Sequence, residues 1–234
     1  MAPETPVQPQ RRDRRRDRHE ATKQEILDHA WSMVRADGLA ALSLRALAHA
    51  IDMEPQSLYT YFASKNALYD SMFADGNREL ASRFSRAEIP AEPRGALRAI
   101  TRLFVAFAAE DQARYQLLFQ RTLPGFEPSP QSYAPAVRAL DGARELLARN
   151  GITQPRHLDL WTALATGLID QQVSNDPGGD RWTRLIEESI AMFLAHCQPD
   201  AAPRQPGTRP AQTNGARHDH DDHRRHHHRA ADPS

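Results

Sequence analysis

The 234-residue sequence contains 30 basic and 30 acidic residues, and 40% of its residues are hydrophobic, which suits one large domain or two small ones. No apolar stretch approaches the ~20 residues needed to span a bilayer, and no apolar segment follows the N-terminal arginines, so we expect neither a membrane anchor nor a secretory signal. A single cysteine, Cys197, cannot form an intrachain disulfide, which fits a reducing, cytoplasmic setting.

Positive charge is concentrated near the N-terminus. Residues 11–18 hold six arginines and two aspartates, whereas residues 20–65 hold four basic and six acidic side chains. A charge run of this kind is usually solvated and disordered. It also suits contact with phosphates, which supply most of the non-specific affinity of proteins for nucleic acids. We therefore predict a disordered basic arm over residues 1–18, with Arg15, Arg16 and Arg18 as candidate phosphate contacts.

The first helix is predicted over residues 20–37. Its apolar residues recur at steps of three and four, which places them on one buried face. They are Ile26, Leu27, Ala30, Trp31 and Val34. Gly38 follows at the position of a helix C-cap.

Two short helices joined by a tight turn are predicted between residues 43 and 65. Ser43 precedes the first helix, where its hydroxyl can accept a hydrogen bond from a free N–H at the helix end. The apolar pattern breaks at Asp52 and restarts at Pro55, a residue tolerated in a first helical turn. Leu58 and Phe62 are four residues apart and would hold the second helix against the first. This arrangement describes a helix-turn-helix.

The second helix of this motif leaves polar and aromatic side chains facing outward. Glutamine can pair bidentately with adenine, whereas serine and threonine can donate or accept hydrogen bonds at several base edges. Tyrosine and lysine can bind phosphate oxygens. A surface hairpin in any all-α protein would show the same spacing, so DNA binding is a hypothesis here. The candidate DNA contacts are Ser43, Arg45, Glu54, Pro55, Gln56, Ser57, Tyr59, Thr60, Tyr61 and Lys65.

Residues 21–69 resemble the tetracycline-repressor (TetR) family of transcriptional regulators. The resemblance rests on EILDHA in the first helix, on Gly38, and on SLYTYFASKNAL at residues 57–68. Two positions depart from the family pattern. Asp52 stands at the turn position where the family usually has glycine, and Glu54 adds a carboxylate at the start of the recognition helix. Asp visits left-handed conformations at tolerable cost, so we expect the turn to be kept.

The resemblance implies an all-α fold in two parts, with disordered termini. The head, residues 19–66, would be the three-helix DNA-binding domain, and the body, residues 67–198, a helical bundle for ligand binding and dimerisation. Ser64 can cap a long fourth helix that begins near Lys65, and the resemblance implies that this helix joins the two parts. The implied protein is a regulator without enzymatic activity or a cofactor, most simply a repressor released by a small-molecule effector. It would bind a palindromic operator in double-stranded DNA as a homodimer, in the cytoplasm and on the nucleoid.

The pattern of the body stays helical from residue 94 to residue 196, with helices predicted at 96–110, 111–122, 135–149, 157–172 and 181–196. Several aromatic residues in this region recur at helical spacing. Pockets and cores share an apolar lining, so such a stripe is more often part of the core than of a pocket. The resemblance implies a small-molecule pocket in the same region. The candidate lining residues are Phe104, Phe107, Tyr115, Phe119, Phe126 and Trp161.

The last two predicted helices carry apolar stripes broad enough to be packed on two sides. Ordinary packing within the chain would explain these stripes, whereas the resemblance implies a two-fold dimer. The candidate interface residues are Trp161, Leu164, Gly167, Leu168, Trp182, Leu185, Ile186 and Phe193.

Residues 199–234 are predicted to be a disordered tail, because prolines break any helix and apolar residues nearly vanish. His218, His220 and His223 alternate with aspartates and form a weak alternative metal site, although they lack the fixed spacing of a structured one. A metal-responsive regulator is therefore one alternative function. A helical-bundle enzyme is another, but the sequence shows no metal-spaced His/Glu pair in its helices, no phosphate-binding glycine loop and no nucleophile elbow.

Overall fold

The computed structural model describes residues 10–197, which form nine α-helices and no strand. The helices are α1 (Gln10–Asp37), α2 (Leu44–Ala50), α3 (Pro55–Leu58), α4 (Lys65–Arg86), α5 (Pro93–Glu110), α6 (Gln112–Phe119), α7 (Pro130–Arg149), α8 (Pro155–Asn175) and α9 (Ile186–Cys197). The prediction of an all-α fold is confirmed. None of the helices described is long and apolar enough to cross a membrane.

The remaining residues, 1–9 and 198–234, lie outside the described part of the chain. The predicted disorder of the tail and the weak metal ligands His218, His220 and His223 therefore stay predictions. Within residues 10–197, no cluster of three His, Cys, Asp or Glu side chains could hold a metal ion.

Helix α1 begins ten residues earlier than the sequence pattern predicted, so the expected disorder of the basic arm is wrong for residues 10–18. Arginine is a good helix former. Asp13 lies in the first turn, where a carboxylate interacts favourably with the helix dipole. Its carboxylate also pairs with Arg16 one turn later, at 3.6 Å. The arginines therefore lie on consecutive turns of a helix that continues into the head.

Helix α7 begins at Pro130 instead of residue 135, because a contact from α4 fixes its first turn. The Asp70 carboxylate in α4 accepts from the Ser129 N–H at 2.7 Å and from the Ser132 hydroxyl at 2.8 Å. The Ser129 hydroxyl accepts from the Ser132 N–H and caps the helix. Pro135, which had marked the predicted start, is tolerated inside the helix.

The core of the head continues into the body. Buried apolar side chains of α1, α2 and α3 pack with Leu68, Tyr69 and Met72 of α4 and with Ala113 and Leu117 of α6. Where Gly76 of α4 faces α6, an added Cβ would lie 3.1 Å from Leu118. The predicted boundary at residue 66 is therefore not a break in packing, and residues 10–197 belong to one compact unit.

A second core lies between α5, α8 and α9. It contains Leu97, Trp161, Ile190 and Phe193, all of which are buried within the single chain. Beside this core, Glu187 of α9 accepts from Arg98 of α5 at 2.5 and 2.8 Å. Hydrogen bonds and positive charge from Arg98 hold the pKa of Glu187 below its usual range. The apolar core and this ion pair together attach α9 to the body.

Candidate nucleic-acid interface and ligand cleft

The turn between α2 and α3 is held by local hydrogen bonds. Ser43 caps α2 as predicted, its hydroxyl accepting from the Ala46 N–H at 3.5 Å. After α2, Asp52 adopts a φ of 53°, the left-handed region. The Met53 N–H then donates to the Ala48 carbonyl at 2.8 Å and turns the chain toward α3. Aspartate therefore fills the position where the TetR pattern usually has glycine, and the turn is kept.

Helix α3 is short but firmly braced. It begins with Pro55 at its first turn, and the backbone continues as a helical turn in which the Phe62 N–H donates to the Leu58 carbonyl at 3.1 Å. Leu58 and Phe62 are each 1% exposed. The predicted role of this pair, locking α3 onto the rest of the head, is confirmed.

The surface of α3 and its following turn carries most of the predicted base contacts. Gln56, Ser57 and Thr60 are exposed, and Tyr59 is exposed over 56% of its surface. The Thr60 hydroxyl donates to the Ser57 carbonyl at 2.7 Å. That hydrogen bond leaves the Thr60 oxygen as an acceptor toward solvent. A short, rigid segment thus presents amide, hydroxyl and phenol groups on one side.

Some of the other predicted DNA contacts are exposed, whereas others are half-buried or already bonded within the chain. Arg45 and Glu54 are exposed, whereas Ser43 and Pro55 are half-buried. Lys65 differs most from its predicted role, because its ammonium donates to the Ala40 carbonyl at 3.0 Å and lies 5.5 Å from the centre of the Tyr69 ring. Lys65 therefore ties α4 to the loop before α2 instead of pointing freely outward.

Tyr61 was predicted to face outward, but its ring is half-buried against α1. The His19 ring stacks on it with centroids 4.6 Å apart and planes 15° apart. One turn later in α1, the Lys23 ammonium lies 5.7 Å from the centre of the Phe62 ring. Arg15, Arg16 and Arg18, in the helical turns just before His19, are exposed. Neither His19 nor Lys23 was among the predicted site residues, although both continue the buried stripe of α1 at the spacing 19, 23, 26, 30.

A cleft of about 270 Å³ opens where α4, α6 and α7 meet. Its walls combine apolar side chains with the polar groups of Gln120, Arg121, Thr122 and Glu127. Of the predicted pocket residues, only Phe119 and Phe126 line it, together with Phe73, Leu117, Leu118, Leu123, Pro128 and Tyr133. Leu117 and Phe126 also pack in or against the core of the head. The cleft therefore borders the core on which α3 rests.

The remaining pocket candidates lie elsewhere. Phe104 and Tyr115 form an aromatic cluster with Phe119, in which the closest ring centroids, those of Phe104 and Phe119, are 4.8 Å apart. The Tyr115 hydroxyl donates to Asp170 at 2.7 Å, and burial raises the pKa of the phenol above its usual value. Phe107 is buried below the guanidinium groups of Arg83 and Arg114, and Trp161 belongs to the core of α5, α8 and α9. These four side chains fill the interior and do not line the cleft.

The candidate dimer residues fall into two classes. Trp161, Ile186 and Phe193 are buried in the chain's own core, so they are not part of its surface. Leu164, Leu168, Trp182 and Leu185 are half-buried, and Gly167 is exposed. Two apolar residues that were not predicted, Leu160 on α8 and Met192 on α9, are 37% and 61% exposed. The outer side of these two helices therefore carries exposed apolar surface, as does α7 at Val137 and Leu140.

The two short helices α2 and α3 flank a tight turn, and with α1 they form a three-helix head that is joined to a helical bundle. This arrangement defines a helix-turn-helix protein. Residues 26–72 match the family described as bacterial regulatory proteins, tetR family. The matched residues run from α1 through the helix-turn-helix into α4, so the head of this chain is similar to that family.

Proteins named HTH-type transcriptional regulators, from Mycobacterium bovis and Mycobacterium tuberculosis, are 28% identical to this chain over 133 residues. The matched segment covers 56% of this chain and 57% of each relative, so the chain spans little more than half the length of these relatives.

Solved structures share the fold. A protein of unknown function from Rhodococcus has a TM-score of 0.64 at 20% identity and covers 74% of this chain and 94% of its own. A tetR-family regulator from Streptomyces coelicolor has a TM-score of 0.59 at 18% identity, and the match covers 75% of this chain and 80% of that protein. A TetR variant from Acinetobacter baumannii, in complex with minocycline, has a TM-score of 0.53 at 20% identity. That match covers 74% of this chain and 94% of the variant.

Proposed function

We propose that this protein is a sequence-specific, DNA-binding transcriptional regulator and that α3 reads the major groove. The observation that carries this proposal is the exposed group of Gln56, Ser57, Tyr59 and Thr60 on a braced segment of a TetR-type head. A rigid support matters, because base readout depends on side chains held in a fixed register. The names of the mycobacterial relatives, transcriptional regulators, support the same function. A regulator that acts on the bacterial chromosome works in the cytoplasm, and we include that location in the proposal.

Selection of bound duplexes from a random pool tests this function directly. We expect the full chain to enrich one sequence, and we expect Gln56→Ala to weaken its binding by about 1–3 kcal/mol, as for the loss of one bidentate base contact. Gln131→Ala is the matched control, since Gln131 is an exposed glutamine on α7. No enrichment by the folded protein, or equal effects of the two substitutions, would contradict the proposal.

We also propose that the regulator acts as a homodimer through the outer faces of α8 and α9. Leu160, Leu164 and Gly167 lie at steps of four and three on α8 and so share one face. Met192 supplies an exposed apolar residue on α9. Leu164 and Ser189 line a shallow apolar groove between the two helices, so the two faces are neighbours. A two-fold dimer would present two copies of α3 to half-sites one helical turn, about 34–36 Å, apart.

The cleft between α4, α6 and α7 is our candidate effector site, and a ligand-released repressor is the simplest regulator that would use it. Its volume of about 270 Å³ is just below the usual range for drug-sized ligands. A neighbour of the same fold holds minocycline, which is consistent with small-molecule binding by this architecture. An effector acts only through different affinities for the DNA-binding and released conformations. Because Leu117 and Phe126 touch both the cleft and the head core, an occupied cleft would repack the support of α3.

A further inference from the structure

The two turns of α1 that precede the head carry their charges unequally. An α-helix advances about 100° per residue, so Arg15 and Arg16 lie within roughly 60° of His19 around the helix. Asp17 lies about 160° from His19, and Asp13 about 120°. Among residues 13–18, the side of the helix that carries His19 therefore has arginines and no acid, although the Asp13 carboxylate reaches Arg16 from the adjacent side at 3.6 Å.

The contacts of His19 and Lys23 orient this side of α1 toward the recognition segment. They are one turn apart in α1, and they contact Tyr61 and Phe62, the two residues that end the recognition segment. Both contacts use the apolar or π surface of an aromatic ring, and a cation over such a ring is attracted to its face. The N-terminal extension of α1 is therefore attached to the same segment that presents Gln56 and Tyr59.

We propose that His19 is a positioning residue that directs Arg15 and Arg16 to the phosphates beside the bases read by α3. This inference rests on the proposed DNA-binding function. Residues 10–18 extend over roughly 13 Å at 1.5 Å per residue, the length of about four base pairs. The extension binds as a preformed helix, so it loses less conformational entropy on binding than a flexible arm would. His19 itself contacts the protein and not the DNA.

The test measures the affinity of the full chain for the selected duplex over a series of salt concentrations. We expect the double variant Arg15→Ala/Arg16→Ala to lower the slope of log K against log [salt] by about 2, since each phosphate contact contributes about 0.9. The same relationship gives about a fivefold loss for each missing contact near physiological salt. Arg14→Ala is the matched control, because Arg14 lies about 140° from His19 on the same helix. Its effect is expected to be small.

Variants of His19 separate positioning from a general effect on folding. His19→Ala should weaken binding, whereas His19→Phe, which keeps a ring on Tyr61, should bind within about twofold of the wild-type protein. The loss caused by His19→Ala should nearly vanish in the Arg15→Ala/Arg16→Ala background, because residues that act as one unit are not additive.

Wild-type binding by His19→Ala would overturn the inference, as would failure of His19→Phe to restore affinity or an undiminished His19→Ala effect in the double background. An effect of Arg14→Ala equal to that of Arg15→Ala would also overturn it. In each case the wild-type protein still binds the duplex. If the wild-type protein binds no duplex at all, the proposed function itself fails.

Discussion

The Arg35 guanidinium of α1 donates through Nε to Asp111 Oδ2 at 2.8 Å, across the junction between the head and the body. Asp111 is 8% exposed and also caps α6, because its Oδ1 accepts from the Arg114 N–H at 3.0 Å. The Arg114 guanidinium lies 5.3 Å from the centre of the Trp31 ring of α1. One carboxylate thus fixes the start of α6 and holds it against the first helix of the head.

Loss of Asp111 should destabilise the fold. Asp111→Ala removes a helix cap, typically worth about 1 kcal/mol, and an ion pair with an arginine whose side chain is 44% exposed, which adds up to about 1 kcal/mol. We expect a decrease of roughly 1–2 kcal/mol in the free energy of unfolding, measured with urea. Asp111→Asn keeps a good capping residue and should cost less. Asp159→Ala, at an exposed aspartate of α8, should stay within about 0.5 kcal/mol of the wild-type protein. Equal stability of all three variants would contradict the role of Asp111.

The left-handed conformation of Asp52 predicts that its glycine variant is more stable than its alanine variant. Glycine adopts a φ of 53° without steric cost, whereas alanine there costs roughly 1 kcal/mol. Asp52→Gly should therefore be at least as stable as the wild-type protein, and Asp52→Ala less stable by about 1 kcal/mol, in thermal or urea unfolding. If Asp52→Ala were the most stable of the three proteins, the turn would not have the described conformation.

The exposed glycine of α8 tests the dimer. Gly167 and Gly142 of α7 are both exposed, and an added Cβ at either position would meet no other part of the chain within 4 Å, so both have open space for a side chain. We expect the wild-type protein and Gly142→Leu to sediment as dimers at micromolar concentration. Gly167→Leu should shift toward the monomer, because its side chain would separate the paired helices. A wild-type monomer, or a Gly167→Leu dimer of unchanged affinity, would refute the interface.

His157 makes stability depend on pH. It is buried beside His196, with ring centroids 5.8 Å apart, and its Nδ1 has no hydrogen-bond partner among the residues described. Burial and the positive charges of Arg156 and His196 hold the pKa of His157 below its usual value. The unfolded chain therefore takes up this proton more readily, so stability is full above about pH 6.5 and falls as the pH drops below it.

Thermal unfolding at pH 7.5 and 5.5 measures this effect. The decrease in Tm on acidification should be smaller in His157→Gln than in the wild-type protein. His29→Gln, at an exposed histidine of α1, should keep the wild-type decrease. An equal decrease in all three proteins would exclude His157 as the source.

The sequence predicted the parts of the structure that depend on neighbouring residues. The Ser43 and Ser64 caps, the turn at Asp52 and the contact of Leu58 with the head all follow from local spacing, and all are found. The all-α class followed in the same way, because periodic apolar positions reveal helices without knowledge of their partners.

Features set by distant contacts were not predicted. Lys65 bonds to the Ala40 carbonyl 25 residues away, and the start of α7 depends on Asp70, 59 residues before Ser129. The aromatic residues of the body share one kind of spacing, and only packing separates Phe119 at the cleft from Phe107 in the interior. His19 is different, since the stripe of α1 indicated which side it lies on but not that Tyr61 would meet it.

The apolar interior of the head is completed by Ala113 and Leu117, residues that come more than fifty positions after α3 ends at Leu58. A fragment cut after residue 66 would lack Leu68, Met72 and Leu117 of the shared core, and we expect it to be insoluble or unfolded. For protein engineers, a chimera that exchanges operator specificity with a relative therefore has to carry matched α6 residues along with α1 to α4.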